Sequence, residues 1–252
     1  TDAWLLLEMG CKIDRKFYYM HMEDDLPDDL LKEYELAIKK RAEHIPLQYI
    51  VGETEFMGLK FKVNSNVLIP RQDTETLVEE ALKTVKPGMK VLDMCTGSGC
   101  IIISILHNVE GVKGYAVDIS KQAVNVAKEN AKLNEVPVLF ERSDLFEMVT
   151  EKFDVIVSNP PYIPTDVIPQ LMPEVQVFEP IEALDGKEDG LYFYRKIVEQ
   201  SKDYLNSGGS LMFEIGYDQG KDVSKMMTDA GFSDVCVKKD LAGNDRVVTG
   251  ML

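Results

Sequence analysis

From residue 89 onward the chain alternates between two hydrophobic periods, and this alternation limits the fold more than any other feature. MKVLDMC reads as a strand and CIIISILHNV as a helix. GYAVDI is a strand, and Ser120 caps the helix KQAVNVAKENAKLN. VPVLFERSD and FDVIVSNP are strands, GLYFYRKIVEQSKDYL a helix, GSLMFEIG a strand, and a further helix runs to about Ala230. Repeated βα units imply a parallel sheet covered by helices on both faces. The end, DVCVKKDLAGNDRVVTGML, reads as two strands around an Ala-Gly-Asn-Asp turn, so the last strand runs antiparallel to its neighbours.

Upstream the pattern changes. Residues 1 to about 50 are helical in pattern, with Leu30, Leu31, Tyr34, Ala37 and Ile38 near helical spacing. Asp28 and Asp29 start one helix and Lys39, Lys40 and Arg41 end it, which suits the helix dipole. Trp4, Leu5 and Leu6 could bury against the sheet domain. Residues 55 to 69, EFMGLKFKVNSNVLI, alternate like strands, with Asn64-Ser65-Asn66 as the expected turn. Pro70 then breaks the chain, and Asp73 or Thr74 is the expected cap of the helix through LVEEALKTV. The expected organisation is a helical domain over 1–50, a β-hairpin linker over 51–72, and an α/β domain over 73–252.

Composition excludes several classes. The net charge is −15, from 28 Lys plus Arg against 43 Asp plus Glu, with no basic cluster. A duplex-binding protein needs a cationic footprint, so direct nucleic-acid binding is not expected. No apolar run reaches membrane-span length. Residue 1 is Thr and no signal-peptide pattern follows it; an N-terminal piece ahead of Thr1 is compatible with this. Cys11, Cys95, Cys100 and Cys236 match neither a zinc site nor a disulfide framework, and no metal is expected. They read as reduced thiols of a cytoplasmic protein. The histidines are scattered, and no Ser-His-Asp or Cys-His arrangement is visible.

The first strand ends in Asp93-Met94-Cys95-Thr96-Gly97-Ser98-Gly99 and an apolar helix follows. Gly97 and Gly99 allow backbone angles and close approach that a side chain would block. In a doubly wound sheet such a turn lies where ligands bind. Asp118 ends the second strand and can accept from both hydroxyls of a ribose. The pair also reads as a tight turn with a surface Asp. A pyrophosphate site wants G-x-G-x-x-G; here the pattern is C-x-G-x-G, and Asp93 would repel phosphate and attract an amino group. The reading therefore tilts from NAD toward S-adenosylmethionine. At the third strand end, Asp144 could accept the exocyclic amine of an adenine and Leu145 could pack on its ring. Equally, Asp144 could cap a helix through FEMVTE.

The fourth strand ends in Asn159-Pro160-Pro161-Tyr162. The Asn159 side-chain oxygen and the Pro160 carbonyl are two acceptors that can hold one NH2 group, with ring constraints fixing the backbone. Tyr162 offers a flat face to a planar substrate. No strong base is evident, and an electrophilic sulfonium methyl needs positioning more than deprotonation.

Several stretches resemble the HemK/PrmC family of peptide chain release factor glutamine methyltransferases. They are PLQYIVGETEFMGLKF (46–61), VLIPRQDTETLVEEAL (67–82), VLDMCTGSGCIIIS (91–104), VIVSNPPYI (155–163), FEPIEALDGKEDGLYFYRKI (178–197) and DLAGNDRVV (240–248). The resemblance implies a class I, Rossmann-like, S-adenosylmethionine-dependent methyltransferase sheet with a C-terminal antiparallel hairpin and a small helical N-terminal domain. It implies methyl transfer to the side-chain amide of the Gln in the Gly-Gly-Gln motif of release factors, which the N-terminal domain would dock. By position, Cys95, Thr96, Gly97, Ser98 and Gly99 form the cofactor turn, Asp118 holds the ribose, and Leu145 lies beside the adenine. Asn159, Pro160, Pro161 and Tyr162 bind the substrate glutamine, with Asn159 and Pro160 catalytic and Asn159 also bordering the cofactor. Cys95 stands where family members usually carry Gly, so a positive φ there would strain it. Leu145 stands where some relatives carry an aromatic. A ribosomal-protein glutamine methyltransferase, a DNA or RNA adenine methyltransferase and a non-catalytic adenosine-binding module are the alternatives.

Overall fold

The computed structural model describes residues 2–252. The N-terminal segment is helical: α1 (Asp2–Leu5) continues into a π-helical turn (Leu6–Gly10), followed by α2 (Arg15–Met20), α3 (Asp28–Ala42) and α4 (Leu47–Val51). Asp14 caps α2 by accepting from the Phe17 N–H at 2.7 Å. Leu6, Cys11 and Ile13 are buried. Trp4 packs on Tyr18 and under Arg15.

Strands β1 (Glu53–Phe56) and β2 (Leu59–Lys62) form an antiparallel hairpin. Its turn is Met57-Gly58, not Asn64-Ser65-Asn66. Both turn residues have positive φ, +49° and +73°, as a type I′ hairpin turn requires. Asn64 makes a separate turn further on, its side chain accepting from the Asn66 N–H. The hairpin is welded to the sheet domain. Phe56 and Phe61 are buried in its core, and Asn130 bonds both the N–H and the carbonyl of Lys62.

The remaining elements are α5 (Gln72–Thr84), β3 (Lys90–Met94), α6 (Cys100–Asn108), β4 (Lys113–Asp118), α7 (Lys121–Leu133), β5 (Val138–Arg142), β6 (Phe153–Ser158), α8 (Pro173–Phe178), α9 (Tyr192–Tyr204), β7 (Leu205–Glu214), α10 (Gly220–Asp229), β8 (Ser233–Lys239) and β9 (Asp245–Met251). The seven-stranded sheet has the order β5-β4-β3-β6-β7-β9-β8. Its first five strands are parallel, and β9 inserts antiparallel between β7 and β8. One apolar layer joins α5, α6 and the hairpin to one face; another joins α9 and α10 to the other. Successive burial of β3 and β6 on both faces explains the apolar stretches Val91–Leu92 and Val155–Val157.

Two further local expectations fail. Helix α5 starts after Arg71 with no side-chain cap. Asp73 instead pairs with Arg246, and Thr74 is buried. No helix forms at FEMVTE; the turn there is closed by Ser143, whose hydroxyl accepts from the Met148 N–H at 3.0 Å.

Candidate active site

The order of the sheet reverses at β3. Its C-terminal Met94 has Val117 of β4 on one side and Ser158 of β6 on the other. Outside these strand ends lies a cavity of about 540 Å³. A crevice at this switch point is where doubly wound sheets bind ligands.

The glycine turn forms its floor. Gly97 has φ +53° and open space at its Cβ position, so conformation selects glycine there. Its N–H donates to Asp118 Oδ2 at 2.9 Å, and the Ser120 N–H donates to Oδ1 at 2.9 Å. These bonds lock the carboxylate to the turn and leave lone pairs toward the cavity. Burial raises the Asp118 pKa, and the two N–H groups counter it. Cys95 has φ +62°, the backbone angle that glycine serves at lower cost. Asp93 lies elsewhere than expected. It is fully buried beneath the turn, accepts from the Thr96 hydroxyl at 2.6 Å, and does not line the cavity. Burial pushes its pKa up to about 7.

Cys95, Thr96, Gly97, Ser98, Asp118, Asp144, Leu145, Asn159 and Pro161 all line the one cavity. Gly99, Pro160 and Tyr162 do not. Gly99 packs against Ile103 and Ala127 below the turn. Tyr162 is half-buried on the apolar layer under α9, its hydroxyl 3.5 Å from Glu214 Oε1 and its carbonyl accepting from Gln219. Among the described residues, neither Asn159 Oδ1 nor the Pro160 carbonyl accepts a hydrogen bond. Asn159 Nδ2 donates to the Thr74 hydroxyl at 3.4 Å.

Four features in and around the cavity escaped sequence reasoning. Thr74 and Arg71 line the cavity from the N-terminus of α5. Arg71 pairs with Glu179, whose side chain is almost wholly buried. Glu214, at the end of β7, is 2% exposed, and its pKa is raised to about 7 by burial. Finally, Gly186 and Gly190 lie against the backbone of Tyr162 so closely that a Cβ on Gly190 would sit 2.3 Å from the Tyr162 carbonyl oxygen. The signal for these was present as motif residues in IPRQDTE, FEP, LDGKEDG and FEIG, but no spacing rule assigns them partners.

The cavity can hold an adenosine-bearing ligand that is cationic rather than phosphorylated. Its charged lining is Asp118, Asp144, Glu182 and Asp185 against Arg71 and Lys187. The Gly97 N–H, which would greet a phosphate in a dinucleotide site, is already occupied by a carboxylate. Its volume is in the range of small-ligand sites.

A sheet of this order with such a cavity defines a Rossmann-like methyltransferase. Residues 71–171 match the family model described as Methyltransferase small domain, and residues 1–52 match PrmC N-terminal domain. A release factor glutamine methyltransferase from Clostridium botulinum is 44% identical over 98% of this chain and 90% of its own. One from Geobacter sulfurreducens is 42% identical over 98% and 87%. The crystal structure of a methyltransferase from Pyrococcus furiosus shares the fold, with TM-score 0.59 at 21% identity over 84% of this chain and 98% of that one. The chain belongs to the release factor glutamine methyltransferase family.

Proposed function

We propose that this protein methylates the side-chain amide nitrogen of a glutamine in peptide chain release factors, within their Gly-Gly-Gln motif, using S-adenosylmethionine. The observation that carries this reading is the pairing, in one cavity, of a ribose-type acceptor at Asp118 with the unpartnered Oδ1 of Asn159. Family membership supports the substrate class. The fit to the cofactor rests on an acidic lining, a turn closed to phosphate, and Leu145 on the cavity wall.

When bound, S-adenosylmethionine supplies an electrophilic methyl group. Asp118 holds the ribose hydroxyls, the turn from Cys95 to Gly99 shapes the floor, and Asp144 and Leu145 flank the adenine. Asn159 Oδ1 and the Pro160 carbonyl accept the two N–H bonds of the glutamine amide. This fixes its nitrogen and stabilises the positive charge that develops there. Pro161 lines the pocket, and Tyr162 braces the end of the turn through its carbonyl, which accepts from Gln219. The N-terminal helices dock the release factor, and this substrate puts the reaction in the cytoplasm. No direct contact with nucleic acid or membrane is required.

The test is single-turnover methyl transfer with a release factor, a ribosomal protein and DNA as acceptors. Methylation of the release factor at its glutamine is expected. Asn159→Ala should lower the rate by about 100-fold with little change in cofactor affinity. Transfer to only the ribosomal protein or DNA would overturn the substrate assignment, and a loss confined to cofactor binding would remove Asn159 from the chemistry.

A further inference from the structure

The amide of Asn159 can point either way, and only one way works. Its oxygen must face the substrate NH2, and its nitrogen must be occupied elsewhere. The Asn159 nitrogen donates to the Thr74 hydroxyl at 3.4 Å. Thr74 is 2% exposed, in the first turn of α5, where that helix crosses the ends of β6 and β7. Because Ser158 and Phe213 are in register, Asn159 and Glu214 are adjacent at those ends. Thr74 therefore stands over both. Among the described residues the buried Glu214 carboxylate accepts only from the Tyr162 hydroxyl, 3.5 Å from Oε1, and its Oε2 has no partner, so an acceptor is free for the Thr74 proton.

Hydrogen-bond arithmetic settles the direction. A hydroxyl has one proton, and an ionised carboxylate can only accept. If Thr74 gives its proton to Glu214, it meets Asn159 with a lone pair, and only Nδ2 can face it. If Glu214 is protonated, it can donate to Thr74, whose own proton is then free to face Asn159 Oδ1. The flipped amide presents N–H groups to the substrate N–H groups, which repel. We infer that Glu214 and Thr74 are positioning residues that hold the Asn159 amide with its oxygen toward the substrate, the ionised carboxylate setting the direction of the relay. This rests on the proposed function for what Asn159 does, but the orientation itself belongs to the free protein.

The groups facing Glu214 set when the relay works. Arg246 from β9 favours its charged form; Asp73 of α5 opposes it, and Tyr162 contributes its hydroxyl. Arg246 also pairs with Asp240 at 3.1 Å and with Asp73 at 3.2 Å, so its charge is shared. Tyr194 from α9 donates to the Glu214 backbone carbonyl, not to the carboxylate. Burial dominates and holds the carboxyl at about 7. The relay is therefore intact above neutrality and lost as pH falls through about 7.

The experiment compares wild type, Thr74→Val, Thr74→Ser and Glu214→Gln in single-turnover methyl transfer to a release factor from pH 6 to 9. It also follows the Asn159 side-chain NH2 resonances of the free protein, identified by their loss in Asn159→Ser. Thr74→Val should lower the rate roughly 10- to 100-fold, as expected for misoriented reacting groups, without weakening substrate binding equally. Thr74→Ser should recover most of that loss. Wild type should lose rate on the acid side, and its Asn159 resonances should shift over the same range; Glu214→Gln should show neither titration. Wild-type rates in Thr74→Val, equal losses in Val and Ser, or an unchanged acid limb in Glu214→Gln would overturn the inference. If Glu214→Gln does not fold, the Thr74 pair and the wild-type resonances decide. If wild type methylates no release factor, the functional reading fails alone, because the resonance shift is read without substrate.

Discussion

Asp118 shows how much one carboxylate can be asked to do. It ends β4, fixes the turn through Gly97, caps the entry to α7 through Ser120, and still faces the cavity. Asp118→Ala should therefore weaken S-adenosylmethionine binding strongly, since each hydrogen bond to a charged acceptor is worth about 1.5–3 kcal/mol. Isothermal calorimetry on the purified variant reads this directly. Unchanged affinity would mean that the ribose is held elsewhere. Asp93, one strand away, has the same side chain and a different job. Sealed beneath the turn with a raised pKa, it braces Thr96 and touches no ligand space. Position relative to the strand end, not residue type, separates the two.

At the scale of elements, the segment between β6 and α9 carries only short helices, and polar contacts tie it to the rest of the molecule. Arg71, just before α5, pairs with Glu179, just after α8. Burial raises the Glu179 pKa and Arg71 opposes it, while Glu179 Oε2 has no partner among the described residues. Arg71→Ala would leave this carboxylate buried and alone. Because Arg71 still reaches solvent, a loss of about 1–3 kcal/mol is expected, below the usual range for a fully buried pair. Urea unfolding of Arg71→Ala, Glu179→Gln and the double variant measures it. The double variant should be less destabilised than the sum of the singles. Additive losses would show that the pair does not pin this segment. Arg41 makes a second tie, bonding Asp2 and Glu174 at 2.6 Å each, and so connects the N-terminal helices to α8.

Across the whole molecule, a cavity that takes one glutamine amide, as proposed, cannot by itself choose a protein. The N-terminal helices leave Phe17, Tyr19, Met20 and Met22 at least half exposed. A double variant, Tyr19→Ser with Met20→Ser, tests the proposed docking surface without touching a core. We expect it to raise the Michaelis constant for intact release factor about tenfold, the scale of a lost interface anchor, and to leave a short Gly-Gly-Gln peptide unaffected. With a chain charge of −15, the preference for intact protein should also shrink as salt rises. Equal effects on protein and peptide would assign these helices a purely structural role.

The sequence alone determined whatever is local along the chain. Strand and helix periods, the turn at Gly97, the acid ending β4 and the order Asn-Pro-Pro-Tyr are each set by neighbours a few residues apart, so spacing and composition reveal them. The hairpin turn shows the limit even of local reading. Asn64-Ser65-Asn66 carries stronger turn chemistry than Met57-Gly58, yet the register that buries Phe56 and Phe61 puts the turn at Met57 and Gly58. Tertiary structure decided every pairing that crosses the sheet. Thr74 meets Asn159 across 85 residues, Arg71 meets Glu179 across 108, and Arg246 reaches the carbonyl of Ile215 across 31. A sequence shows that such residues are polar. Which of them are buried, and therefore must find a partner, depends on which strand ends the sheet order sets side by side.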